Sequence, residues 1–166
     1  GVDAAEFIEL FDGGEGSTSL DGLNIVLFNG TDDLSYLTIY LDGRQTDDAG
    51  YFVLGNTGVD GVGIEFPKGA LQNGPDAVAL VVGELADWPN GMPVTGVVPR
   101  DALVYGQAGQ VDSGLLPLLN AGQPQVDEAG RGDGEAHSNQ RCPNGAGSAR
   151  NTSGYKQNMP TPGGAN

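Results

Sequence analysis

Glu6-Phe7-Ile8-Glu9-Leu10-Phe11 decides the reading of this chain, together with Ser19-Leu20-Asp21-Gly22-Leu23-Asn24-Ile25-Val26-Leu27-Phe28-Asn29-Gly30. Apolar and acidic residues alternate in the first string, with one mixed face, which marks a strand. A Gly/Ser-rich turn at 12–18 follows. Residues 23–29 are a near-continuous apolar run rich in β-formers, as expected of a central strand buried on both faces. Working outward, Thr31-Asp32-Asp33 is a polar turn. Leu37, Ile39 and Leu41 then alternate with Thr38, Tyr40 and Asp42, which predicts a half-buried strand. An acidic loop at 42–50 leads to a strand at 51–54, closed by Gly55-Asn56. A weaker strand is expected at 62–66, stopped by Pro67, a strong one at 77–82 and another at 101–105.

Short strands joined by turn residues predict an all-β antiparallel sandwich or barrel. Composition agrees: 29 glycines and 10 prolines leave no room for a helix bundle. The 166 residues suffice for one domain with a single core. Residues 115–119 are apolar but broken by Pro117, so they read as a helical turn or an edge segment. From Gly122 onward Gly, Pro, Asn, Gln and Ser dominate. Loops draped over the sandwich are expected there, ordered only where they pack. One domain is expected over 1–159, with 160–166 as a linker or domain end.

The formal charge is -15, and residues 1–60 hold twelve acids against one base, Arg44. Such a surface repels phosphate backbones, which argues against direct nucleic-acid binding. It suits solubility, cations or basic partners. No stretch is long and apolar enough to span a bilayer. Gly1 is not a natural start, so the chain reads as a processed form or an excised fragment. Its lack of a signal peptide is then uninformative. The one cysteine, Cys142, excludes an internal disulfide. It is either an unpaired loop thiol or a partner for a thiol elsewhere.

Candidate chemistry is sparse. The one histidine, His137, lies in a Gly-rich loop with no nucleophile motif beside it, so a catalytic triad has no sequence support. Phosphate-cradling and paired Cys/His zinc patterns are missing. Calcium is the better metal candidate, because hard cations take oxygen ligands from flexible loops. Asp32 and Asp33 in one loop, and Asp42, Asp47 and Asp48 in another, supply carboxylates. Neither loop has the spacing of a known calcium loop, and both equally fit Asp/Gly turns. Arg131-Gly132-Asp133 spells an integrin-type tripeptide, short enough to recur by chance. Asn29 and Asn151 open N-glycosylation patterns. Trp88, in Asp87-Trp88-Pro89-Asn90-Gly91, is expected to cap the core; stacking on a sugar is the alternative.

Several strings, in order, resemble the lamin-tail domain family. They are Glu6-Phe7-Ile8-Glu9-Leu10, Ser19-Leu20-Asp21-Gly22-Leu23, Tyr51-Phe52-Val53-Leu54-Gly55-Asn56 and Leu71-Gln72-Asn73-Gly74 followed by Asp76-Ala77-Val78-Ala79-Leu80. Asp101-Ala102-Leu103-Val104-Tyr105, Gln140-Arg141 and the Pro-Thr-Pro-Gly string at 160–163 extend the resemblance over nearly the whole chain. Leu23 stands where the family usually has an aromatic residue. The resemblance implies an immunoglobulin-like β-sandwich. The branch it most resembles is secreted and often sits beside nuclease or phosphatase domains. A non-catalytic module for protein–protein contact, surface attachment or assembly is therefore expected. The alternative is an accessory domain of a secreted nuclease or phosphatase. Family members usually begin with one more strand, which this chain lacks. The gap predicts an open edge at Glu6, Phe7, Ile8, Glu9, Leu10 and Phe11, where a partner protein or another subunit would pair.

Overall fold

A computed structural model describes residues 5–107, 109–130 and 136–166. It is an all-β sandwich. The strands are β1 (Phe7–Phe11), β2 (Leu23–Asn29), β3 (Leu34–Tyr40), β4 (Tyr51–Gly55), β5 (Val62–Glu65), β6 (Asp76–Val82), β7 (Asp101–Gly106), β8 (Val126–Asp127), β9 (Ser138–Arg141) and β10 (Tyr155–Asn158). The larger sheet has the order β3-β2-β6-β7-β8, the smaller β1-β4-β5, and β9 and β10 form a separate hairpin. All pairs are antiparallel except β4–β5 and β7–β8.

Period-two alternation in β2 and β6 splits the interior into two cores. Ile25 and Leu27 turn towards the smaller sheet, where they meet Ile8, Phe52 and Leu54. Val26 and Phe28 turn the other way and pack with Ala77, Ala79, Val81, Ala102 and Val104. That second face is roofed by loops carrying Val94, Leu115, Leu118 and Leu119. The expected double burial of 23–29 is thus met: residues 25–28 are all 0% exposed. Each such side chain contributes about 1.5–3 kcal/mol on burial. The 115–119 segment resolves into a 3-10 turn, Leu116–Leu118, which presents Leu118 to this core.

The C-terminal third is more regular than a set of draped loops. The β9–β10 hairpin is anchored by Arg141, whose guanidinium holds both oxygens of Asp101 at 2.8 Å. The same guanidinium donates to the Ala146 and Ser148 carbonyls and lies over the Tyr155 ring at 5.0 Å. Arg150 donates to the carbonyls of Pro117, Leu118 and Leu119. Residues 160–166, expected as a linker or domain end, lie against the sandwich: Gly163 N–H donates to Glu9 Oε2 at 2.7 Å and Asn166 N–H to Asn144 Oδ1 at 2.5 Å.

Candidate functional site

β1 is an edge strand. Among the described residues it pairs with β4 alone, in the register Phe7↔Gly55, Glu9↔Val53, Phe11↔Tyr51. Two bonds flanking the ladder set the direction of its backbone groups. Asn56 N–H donates to Glu6 O at 2.9 Å, and Asp12 N–H donates to Gly50 O at 3.0 Å. In an antiparallel ladder, bonded positions alternate. Glu6, Ile8 and Leu10 therefore turn their N–H and C=O groups towards β4, and Phe7, Glu9 and Phe11 turn theirs outward. No backbone group among the described residues bonds those outward positions.

The side chains of Phe7, Glu9 and Phe11 lie on the outer face of the smaller sheet, and Ile8 and Leu10 face the core. Phe11 packs on Tyr51 with ring centroids 5.0 Å apart. Gly55 lies close opposite Phe7: a Cβ there would come within 3.1 Å of Phe7 Cβ and 3.0 Å of Glu6 O, so those neighbours would have to shift by a few tenths of an ångström. Glu9 is half-buried. Burial raises its carboxyl above the ordinary 4.5, the Gly163 N–H opposes that, and the Asp47 charge adds to it.

The expected six-residue edge divides by role. Phe7, Glu9 and Phe11 carry the outward backbone groups, whereas Ile8 and Leu10 serve the core. Glu6 precedes β1 and is only 8% exposed. Its Oε2 accepts from Gly69 N–H at 2.7 Å and Ala70 N–H at 3.2 Å. Its own N–H donates to Asn56 Oδ1, and Asn56 Nδ2 reaches the Phe66 and Pro67 carbonyls. Glu6 thus latches β1 to the 66–70 turn. Alternation in the sequence groups it with the strand; the buried Asn56 closing β4 was the signal for the latch.

The five aspartates singled out for calcium are not brought together. Asp32 and Asp33 sit at the β2–β3 turn, while Asp42, Asp47 and Asp48 sit in the β3–β4 loop at the other end of β3. Asp32 Oδ1 accepts from Leu34 N–H, Asp42 Oδ1 from Gly22 N–H, Asp47 Oδ1 from Ala49 and Tyr51 N–H, and Asp48 Oδ1 from Ser17 Oγ. These are backbone-capping and loop-closing roles. Among the described residues no group of three or more His, Cys, Asp or Glu side chains is placed to hold a metal ion.

A different acidic group emerges around the β2–β3 turn. Asp112 Oδ1 accepts from Gly114 N–H at 2.7 Å, and a Cβ on Gly114 would fall 2.1 Å from Asp33 Oδ2. Asp76, at the start of β6 and 2% exposed, accepts from Gly30 N–H at 3.2 Å. Asp76 and Asp112 are too far apart in sequence to read as a motif. Burial raises Asp33, helped by the Asp112 and Asp32 charges. Asp76 is pushed up to about 6, first by burial and then by the Asp112 charge, against the Gly30 bond.

A pH dependence follows. The native state holds a proton on Asp76 up to about 6, but an unfolded aspartate releases it near 3.8. Stability therefore rises as pH falls through 6 towards 4, and this contribution is lost above 6. Asp76→Asn keeps an acceptor for Gly30 and removes the titration. Urea unfolding of the variant should show a smaller rise between pH 6 and 4 than the parent, with Glu9 and Asp33 contributing to the remainder, and the variant should exceed the parent in stability at pH 7. Asp12 acts in another window. Bonds from the Thr18 and Thr46 hydroxyls, then Glu15 and Gly14 N–H, hold it at about 2, so its contribution is lost only as pH falls from 3.8 towards 2.

Trp88 follows the 3-10 turn Leu85–Asp87 and packs against the loop-roofed core, as the capping reading expects. Its carbonyl accepts from Thr38 Oγ1 at 2.8 Å. His137 is half-buried immediately before β9. Cys142 is free and half-buried, with Asn158 Nδ2 at 3.8 Å from its sulfur. Asn29 and Asn151 are both half-buried and use their side-chain oxygens on Thr31 N–H and Ser153 N–H. Arg131-Gly132-Asp133 lies outside the described residues. No helix is long and apolar enough to cross a membrane among the described residues.

No family model, no curated protein and no solved structure matches the chain. The lamin-tail resemblance therefore rests on its own strings.

Proposed function

We propose that this chain is a non-catalytic binding module of a secreted protein, and that it works by taking an extended segment of a partner protein onto the outer edge of β1. One observation carries the reading: Phe7, Glu9 and Phe11 present backbone groups that β4 does not use and no other described backbone group takes. Unsatisfied edge groups are a template for strand addition, in which main-chain bonds supply affinity. The order of strings resembling the lamin-tail family supports a scaffolding role and the secreted setting. The charge of -15 supports a protein partner over a nucleic acid.

Amide exchange by NMR tests this. The amides of Phe7, Glu9 and Phe11 should exchange fast in the free protein and slow when extended peptides are added. Glu9→Pro removes the outward N–H, a position where an edge strand tolerates proline. The variant should retain cooperative unfolding and lose the peptide response. Nuclease and phosphatase assays should be blank. Turnover in either assay, or a full peptide response in folded Glu9→Pro, overturns the reading.

A further inference from the structure

Taking the β1 edge as the binding site, we infer that its partner is a strand with a Lys or Arg opposite Glu9, apolar residues on either side of that cation, and a sequence different from this chain's own. The pleat dictates the pattern. A residue paired with Glu9 in an added antiparallel strand points to the same outer face as the Glu9 carboxylate. Its two neighbours, opposite Ile8 and Leu10, point towards the core that those side chains line. Those two positions therefore call for apolar side chains. The next positions face Phe7 and Phe11, which favour aromatic or β-branched residues.

The carboxylate of Glu9 is ready for a cation. Gly163 N–H occupies Oε2, and among the described residues no cation pairs with the group. Asp47 adds negative charge beside it. A second copy of the chain fits badly. Two-fold pairing centred on Glu9 would set Glu9 against its own equivalent, and like charges directly opposite are destabilising. Each copy also carries -15. A strand from a basic partner meets complementary charge instead, which speeds encounter and fixes register.

Two synthetic peptides of alternating valine and threonine, one with a central lysine and one with a central glutamate, test this at low salt against the wild-type protein. The readout is the NMR shift of the Phe7, Glu9 and Phe11 amides. The lysine peptide should bind about tenfold more tightly than the glutamate peptide, the combined swing of one attractive and one repulsive cross-strand pair. The gap should narrow at high salt. Glu9→Gln should abolish the preference and Glu9→Lys should reverse it. Equal binding of both peptides overturns the cationic partner and leaves the edge site standing. No shift with either peptide overturns both. Shifts that grow with protein concentration alone put a second copy on the edge and also overturn the inference.

Discussion

Replacing Phe28 by alanine is expected to lower the unfolding free energy by about 3–5 kcal/mol. Phe28 is 0% exposed and sits midway in the loop-roofed core. Its neighbours across the sheet are small: Ala77 directly opposite on β6, with Ala79 and Ala102 nearby. The ring occupies the volume those alanines leave. The same core includes the loop residues Leu115 and Leu118. The sheet side cannot close a cavity there, because β2 is hydrogen-bonded on both sides, to β3 and β6. Only the loops can move, and Leu118 is tied to them by bonds to Leu115 and from Arg150. The site therefore collapses little and the cost lies high in the usual range. For a chain of this size the melting temperature should fall by about 10 °C. Thermal unfolding by circular dichroism checks it. A fall of under about 3 °C would mean the loops refill the space, and this second core would then be looser than its burial implies.

The apolar strands were legible because each carries its own periodicity. Residues 23–29 announced double burial by being apolar at both parities, and β2 is buried on both faces. The strand expected at 37–42 is displaced: β3 begins at Leu34, and Leu41 follows it into the core. The polar turn read at Thr31-Asp32-Asp33 is where the structure has it, between Asn29 and Leu34, with Asp33 at a φ of 58°. The hairpin was invisible for the opposite reason. Ser138-Asn139-Gln140-Arg141 pairs with Tyr155-Lys156-Gln157-Asn158, and neither strand has an apolar alternation. These strands are held by polar side chains instead, for example Gln140 Nε2 on the Met159 carbonyl at 2.7 Å. Pattern reading detects what water drives together; it has no signal for a ladder built on amides.

The site was legible only in outline. The alternation at 6–11 marked a strand, the missing preceding strand of the lamin-tail resemblance implied an open edge there, and among the described residues β1 pairs with β4 alone. Which residues of that string face outward depended on the phase of the β1–β4 ladder, which a sequence does not carry. The phase assigns Phe7, Glu9 and Phe11 to the edge and leaves Ile8 and Leu10 to the core. Runs of aspartate read as ligands because adjacency is all a sequence shows. In the fold, Asp33 meets Asp112 across the Gly114 turn, and Asp42 instead caps Gly22 N–H at 2.6 Å.

Arg141→Met should loosen the C-terminal third on the sandwich, at a cost of about 3 kcal/mol. The methionine keeps the apolar stem and removes five donated hydrogen bonds: two to Asp101, and one each to Ala146, Ser148 and the Tyr155 hydroxyl. Asp101 then keeps the N–H groups of Arg150 and Ala102 but loses its cation. Arg141 is 14% exposed at the side chain and Asp101 36%, so water compensates the carboxylate in part. The Ala146 and Ser148 carbonyls lose their donor, while Arg150 and Asn144 still tie the ends of the 143–150 loop to the 117–120 segment and to Tyr51. The loss should be local first. Amides of β9 and β10 should exchange faster while those of β2 and β6 stay protected. Arg141→Lys separates charge from geometry: one ammonium can meet Asp101 but cannot also span two carbonyls. It should recover less than half of the loss. Full recovery by lysine would show that the Asp101 charge pair, and not the fork of donors, holds the hairpin in place.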